Sequence, residues 1–312
     1  MPINYAEAYQ QAIEQAFYND SLYSSDLWNS PSNSLITFEG AKHFRVPTLT
    51  IEHGRQDRAR RTITTPVANY SNDWVDYTMT QERYWSTLVD PSDVDESNQV
   101  LSIANITNQF NIEQKMPEMD RYMFSKLYKD KVKIDTDKSI NTDTLDAKSI
   151  LNYFDTMMAD MNNARVPMQN RVLYVTPKVN TMLKQADAIN RTIVLSNSRQ
   201  IDRSVYSLDS VQIVEVPDDL MMTDFDFTDG SKTKDGAGQI NMMLISNGVQ
   251  VAPQKYSFVG FDNPSAANSG NYLYYENAYY DVMLLNNKSK GIAFNVTAGT
   301  TTTATSGSGT GK

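Results

Sequence analysis

Apolar positions recur along this chain at two spacings, three to four residues and two residues, and each spacing marks out elements. Over residues 4 to 17, Tyr5, Tyr9, Ala12, Ile13 and Ala16 fall on one helical face. Asn4 caps this helix and Glu7, three residues on, completes a capping box. A helix so short cannot bury its own stripe, so it must dock elsewhere on the protein or on a neighbour. Val46, Leu49 and Ile51 open a strand, for which Thr62 to Thr65 offers a return partner. Val75, Tyr77 and Met79 alternate with polar residues as a half-buried strand does. Glu52 to Arg61 has almost no apolar residue, so it reads as the tip of a long projecting hairpin.

Residues 93 to 130 carry the longest helical signal. Ile103, Ile106 and Phe110 are followed by Met116, Met119, Met123 and Leu127 at the same spacing. Pro117 interrupts them, and an interior proline costs ~3 kcal/mol. The expectation is one helix bent there, or two abutting helices. Residues 144 to 163 give a cleaner stripe, from Ala147 through Ile150, Phe154 and Met158 to Met161. A strand at Arg171–Val175 leads into Thr176-Pro177, a cap and first-turn pair for a helix reaching about Ala186. Strands follow at 211–216, 240–245 and 256–261, and the segment 272–296 reads as strands around an Asn286-Asn287 turn. The Thr/Gly/Ser-rich stretch from Ala298 to Lys312 is of low complexity. The order of elements is that of an α+β protein.

Composition removes several function classes. The 312 residues contain no cysteine and two histidines, which excludes a disulfide scaffold, a Cys-ligated zinc, an iron–sulfur cluster and a thiol nucleophile. A net charge of -9 argues against a protein that coats nucleic acid through a basic face. The start, Met1-Pro2-Ile3-Asn4, lacks a secretory pattern, and no apolar run approaches the ~20 residues of a membrane helix. The expectation is a soluble protein made in the cytoplasm. The length favours two lobes.

Candidate chemistry is sparse. Gly307 to Lys312 lacks the frame of a phosphate-binding loop. Asp224 to Gly230 resembles a calcium loop, but Asp229 stands where that loop needs glycine and Asp235 where it needs glutamate, so a solvated acidic loop is the better reading. His43 and His53 have no ligand companion at helical spacing. No catalytic residue, cofactor site or metal site is expected. The one strong charge feature is Arg55, Arg58, Arg60 and Arg61 in an otherwise acidic chain. It fits a nucleic-acid grip, a solvated tip, or a patch meeting acidic surface on another subunit.

The order of elements, with certain local phrases, resembles the major capsid proteins of tailed bacteriophages, the Hong Kong 97 fold that encapsulin shells share. The phrases are Val94-Asp95-Glu96-Ser97, Met116-Pro117-Glu118-Met119-Asp120-Arg121-Tyr122, Val172 to Pro177, Val214 to Pro217, Ile240 to Met243 with Lys255, and Tyr279 to Lys288 with Gly291-Ile292. The similarity spans about residues 45 to 297. It implies a shell subunit with an N-terminal arm (1–44), an E-loop hairpin (45–89) reaching over an adjacent subunit, and a peripheral or P-domain spine helix (90–135). An axial or A-domain (136–270), returning P-domain strands (271–297) and a tail (298–312) complete it.

The implied partners are copies of the chain in hexamers and pentamers, a portal protein, and packaged DNA bound without sequence preference. The implied location is the virion. About 45 residues precede the hairpin, so a separate scaffolding protein is expected, or assembly without one. Residues 46 to 89 contain no lysine, so covalent crosslinking through that loop is not expected. The four arginines are the candidate non-covalent contact. The alternatives are an encapsulin compartment holding a cargo protein and a monomeric enzyme.

Overall fold

The computed structural model describes residues 22–40, 42–55, 57, 60–61, 68–96, 103–134, 140–186, 207–208 and 211–299. The helix expected at 4–17, and the tail beyond 299, lie outside them. In chain order the elements are α1 (Ser25–Trp28), β1 (Thr37–Glu39), β2 (His43–Ile51), β3 (Tyr70–Thr78), β4 (Gln81–Val89), α2 (Pro91–Glu96), α3 (Ile103–Phe110) and α4 (Met116–Ile134). There follow β5 (Ile140–Asn141), α5 (Ile150–Asn163), β6 (Arg171–Val175), α6 (Pro177–Gln185), β7 (Ser207–Leu208), β8 (Val211–Glu215), β9 (Phe225–Asp226) and β10 (Lys232–Thr233). The last are β11 (Gln239–Ser246), β12 (Gln250–Val251), β13 (Gln254–Asp262), β14 (Tyr272–Tyr280), β15 (Met283–Leu284) and β16 (Ile292–Thr297). They form two compact units, Met1–Ser30 with Pro91–Val251 and Val282–Lys312, and Pro31–Asp90 with Ala252–Asp281.

In the first unit a six-stranded mixed sheet, ordered β5-β16-β11-β6-β8-β7, lies between helices. Leu173 and Val175 of β6 and Met242 and Leu244 of β11 point to one face, where they pack with Phe154, Met157 and Met161 of α5 and Val179 and Leu183 of α6. The alternate residues point the other way: Tyr174 meets Phe124 of α4 edge-on at 5.4 Å, and Phe294 meets Tyr128 at 5.5 Å. A central strand covered on both faces reads as an unbroken apolar run, and all five residues of β6 are buried.

Local chemistry sets the helix limits. The chain folds through Pro117 without a break because one π-helical turn, Asn111–Lys115, precedes it. The Met116 N–H reaches back five residues to the Asn111 carbonyl, and both flanking residues stay in the right-handed helical region. The wider turn relieves the clash a proline ring would make with the carbonyl four residues earlier. α5 begins later than its stripe. Asp146 accepts from the Lys148 and Ser149 N–H groups at 2.9 and 2.7 Å, and its own N–H donates to Ser149 Oγ at 3.2 Å. This reciprocal cap fixes the entry, and these backbone bonds hold the Asp146 carboxyl below its usual range.

The second unit holds two three-stranded antiparallel sheets, β1-β2-β3 and β13-β14-β4. The strand at 43–51 pairs with 70–78 in a continuous register from His43↔Thr78 to Ile51↔Tyr70, and Thr62 to Thr65, the return partner expected, lies outside the described residues. Strands lie on either side of Asn286-Asn287, as expected from the sequence: β14 joins β13 and β4, β15 joins β12, and β16 joins β11 and β5.

Candidate subunit-contact site

The hairpin β2–β3 changes face halfway along. Because side chains alternate, Phe44, Val46, Val75 and Tyr77 share one face, and Arg45, Pro47, Leu49, Ile51, Tyr70, Trp74 and Asp76 share the other. Near the base the first face is apolar and covered. Phe44 is fully buried, stacked on Tyr77 at 5.4 Å and tilted against Phe38 of β1 at 6.3 Å. The second face is polar there: Arg45 bridges Glu39 at 2.6 Å and Asp76 at 2.5 Å.

Beyond Val46 the pattern inverts. The first face becomes Thr48, Thr50, Ser71 and Asp73, and the second becomes Pro47, Leu49, Ile51, Tyr70 and Trp74, with Asn72 the one polar residue among them. Leu49, Ile51 and Tyr70 are 66%, 71% and 68% exposed. No register shift accompanies the inversion, so a bulge does not cause it. The outer half therefore carries an apolar face that the subunit leaves in water.

Two clamps hold the hairpin at its base. Asp281, buried, accepts from the Thr80 N–H at 2.7 Å and the Thr80 hydroxyl at 3.0 Å. This fixes the corner where β3 turns into β4. On the surface, Lys42 Nζ bonds Glu82 at 2.7 Å, and the Tyr279 hydroxyl donates to the same carboxylate at 2.5 Å. The Lys42 bond, then the Tyr279 bond, hold the Glu82 carboxyl below its usual value. The adjoining sheet is aromatic on both faces, with Tyr84 against Tyr275 on one and Trp85 against Tyr274 on the other.

Of the four arginines, Arg55, Arg60 and Arg61 are exposed in the segment linking β2 to β3, and Arg58 lies outside the described residues. Arg61 adopts a left-handed backbone, φ +64°. Sequence reasoning picked out this charge and missed the apolar face beside it. The signal was present as Leu49 and Ile51 out of phase with Phe44 and Val46. His43 Nδ1 lies 3.0 Å from the Thr78 hydroxyl. In the acidic loop, Asp224 meets Lys129 at 2.5 Å and Lys234 at 3.3 Å, and Asp226 accepts from Thr228 of its own turn. Burial opposes ionisation of Asp224, but the two lysines outweigh it and keep the carboxyl below its usual range. These carboxylates are spoken for by their own neighbours. Among the described residues no helix is long and apolar enough to cross a membrane.

No protein-family model and no curated protein matches the chain. Solved structures do. A chain of the bacteriophage PhiM1 mature capsid superposes with a TM-score of 0.64 at 12% identity, over 94% of this chain and 91% of that one. The capsid structure of cyanophage P-SCSP1u gives 0.61 at 9% identity, over 95% and 94%. A chain from Mycobacterium phage Che8 gives 0.60 at 13% identity, over 95% and 98%. The fold is that of these phage proteins along nearly the whole length of each, the α+β Hong Kong 97 type expected from the sequence.

Proposed function

We propose that this chain is the major capsid protein of a tailed phage, a subunit that assembles into the closed shell around a double-stranded DNA genome. The observation that carries the reading is the face inversion of the β2–β3 hairpin. An ordered residue costs about 1–2 kcal/mol of backbone entropy, so a long projection persists where something buries it. In a shell that something is an adjacent copy. The near-complete overlap with capsid chains on both sides supports the same conclusion.

In this reading β2–β3 is the E-loop, and the helix 103–134, ~48 Å long at 1.5 Å per residue, is the spine of the P-domain. The A-domain is residues 136–270, which hold five strands of the six-stranded sheet, and the three arginines described at the hairpin, with Arg58, meet acidic surface on the next copy. Hexamers and pentamers, a portal, a separate scaffold and DNA packed without sequence recognition are the partners. The net charge of -9 suits a wall from which phosphate must not hang. The location is the virion, after synthesis in a bacterial host.

The test is purification of the expressed chain followed by sedimentation and negative-stain microscopy. Closed particles are expected, and particles from the native source should protect genome-length DNA from nuclease. A 35 kDa species under every assembly condition would overturn the reading. Particles filled with a cargo protein would turn it into the encapsulin alternative.

A further inference from the structure

One row of side chains grips the turn between β1 and β2. Lys255 of β13, Tyr279 of β14 and Glu82 of β4 stand directly opposite one another in the register of their sheet, so they share one face. Lys255 Nζ donates to the Gly40 carbonyl at 3.0 Å and lies 4.5 Å from the centre of the Phe38 ring. Lys42 Nζ bonds Glu82 at 2.7 Å and lies 5.1 Å from the centre of the Tyr279 ring, whose hydroxyl donates to Glu82. Each strand of the sheet thus supplies one member of the row, and the turn supplies Gly40 and Lys42. Gly40 has φ +82°, a backbone conformation that glycine adopts without strain.

The turn belongs to the hairpin. The Lys42 carbonyl accepts from the Met79 N–H at 2.8 Å, which closes the hairpin base, and Phe38 leans on Phe44 of β2. What holds the turn therefore holds the direction in which β2–β3 leaves the sheet. The two mounts of the hairpin differ in kind. At the corner Asp281 is fully buried and accepts from two donors of Thr80, and bonds to a buried carboxylate are costly to lose. In the row, Lys42 and Glu82 are 46% and 43% exposed, and exposed ion pairs are weak and screened by salt.

We propose that Lys255, Tyr279 and Glu82 form a releasable latch that fixes the direction of the β2–β3 hairpin before a subunit assembles. The latch opens while the corner holds, which leaves Met79 and Thr80 as the pivot. A hairpin already fixed loses less freedom on docking than a swinging one. That purpose rests on the shell reading, whereas the latch itself does not.

The test uses the full chain with two introduced cysteines, Thr50→Cys on the hairpin and Ser86→Cys on β4, both at exposed positions. The chain has no cysteine of its own, so spin labels attach at these two sites alone. Pulsed dipolar spin resonance on dispersed subunits should give one narrow distance distribution at low salt, and a broader one as salt rises. Adding Lys42→Met with Glu82→Gln should make it broad at low salt, with little further response to salt. Lys255→Met should fall between. Lys232→Met with Asp229→Asn, which removes an exposed ion pair in the first unit, is the control and should match the parent. Thermal melts of the dispersed subunits should be alike. In unlabelled chains the concentration at which particles form should rise roughly two- to tenfold for the Lys42 and Glu82 double variant, the range that a weak ion pair and a cation–π contact supply together.

A distribution as narrow in the double variant as in the parent overturns the latch, and so does equal broadening in the control. A broadened distribution with an unchanged particle threshold overturns its role in assembly. Should the double variant fail to fold, Lys255→Met decides both comparisons. If the parent forms no particles the shell reading fails, and the label distances still decide the latch.

Discussion

Replacing Leu49 and Ile51 together by serine tests the face inversion directly. In the single subunit these side chains are 66% and 71% exposed, so removing them takes little from the fold. A surface change of this kind shifts stability by about 0.5 kcal/mol or less. Full burial of a leucine or isoleucine contributes about 1.5–3 kcal/mol. With two-thirds of each still exposed, about 1–2 kcal/mol per side chain is left for assembly to gain. The pair then contributes about 2–4 kcal/mol at each hairpin contact, roughly 30-fold to roughly 1000-fold in its equilibrium constant. Sedimentation velocity across a concentration series reads the assembly threshold, and thermal melts of the dispersed subunit read the fold. Thr50→Ala, on the opposite face, is the matched control and should assemble as wild type does. Assembly of the double variant at the wild-type threshold would refute the reasoning. So would an equal defect from Thr50→Ala.

Three further outcomes are expected. Replacing Arg55, Arg58, Arg60 and Arg61 with glutamine should abolish particles by electron microscopy while the dispersed subunit keeps its circular dichroism, and unchanged particle yield would count against a contact there. Glu82 has a lowered folded pKa, so its clamp contributes above the ordinary carboxylate range and is lost as pH falls through the folded value. A carboxyl titration by NMR should show the low midpoint, and Lys42→Ala should move it up. A Cβ on Gly291 would lie 2.5 Å from Val249 Cγ1 in buried surroundings. Gly291→Ala should therefore cost about 1–3 kcal/mol in urea denaturation.

Elements with a single strong period were legible in the sequence. β6 with its Thr176-Pro177 exit lies where the pattern puts it, and α5 follows its stripe from Ile150 onward. Strand pairing was not legible, because a long-range partner decides it. His43–Ile51 pairs with Tyr70–Thr78, a choice that register makes and composition does not announce. Nothing local says that β14 and β16 join different sheets. The buried place of Asp120 was missed because a lone acid on a helix is ordinarily solvated. A signal existed, since Asp120 and Lys131 stand in step with Met116, Met123 and Leu127, where only apolar residues are expected. Both are fully buried, and Lys131 donates to the Ser289 carbonyl at 2.6 Å.

The pairing of β4 with β14 has a consequence for timing. Val89 lies opposite Tyr272 and Gln81 opposite Tyr280, so the strands that seat the hairpin are almost two hundred residues apart in sequence. During synthesis the earlier strand waits for almost two hundred further residues to emerge before its neighbour exists. Long loops close slowly, and such contacts form late. A nascent chain therefore carries its hairpin on an unfinished base until residue 280 has left the ribosome. By this order of events, a hairpin seated on its finished sheet marks a chain made at least as far as Tyr280.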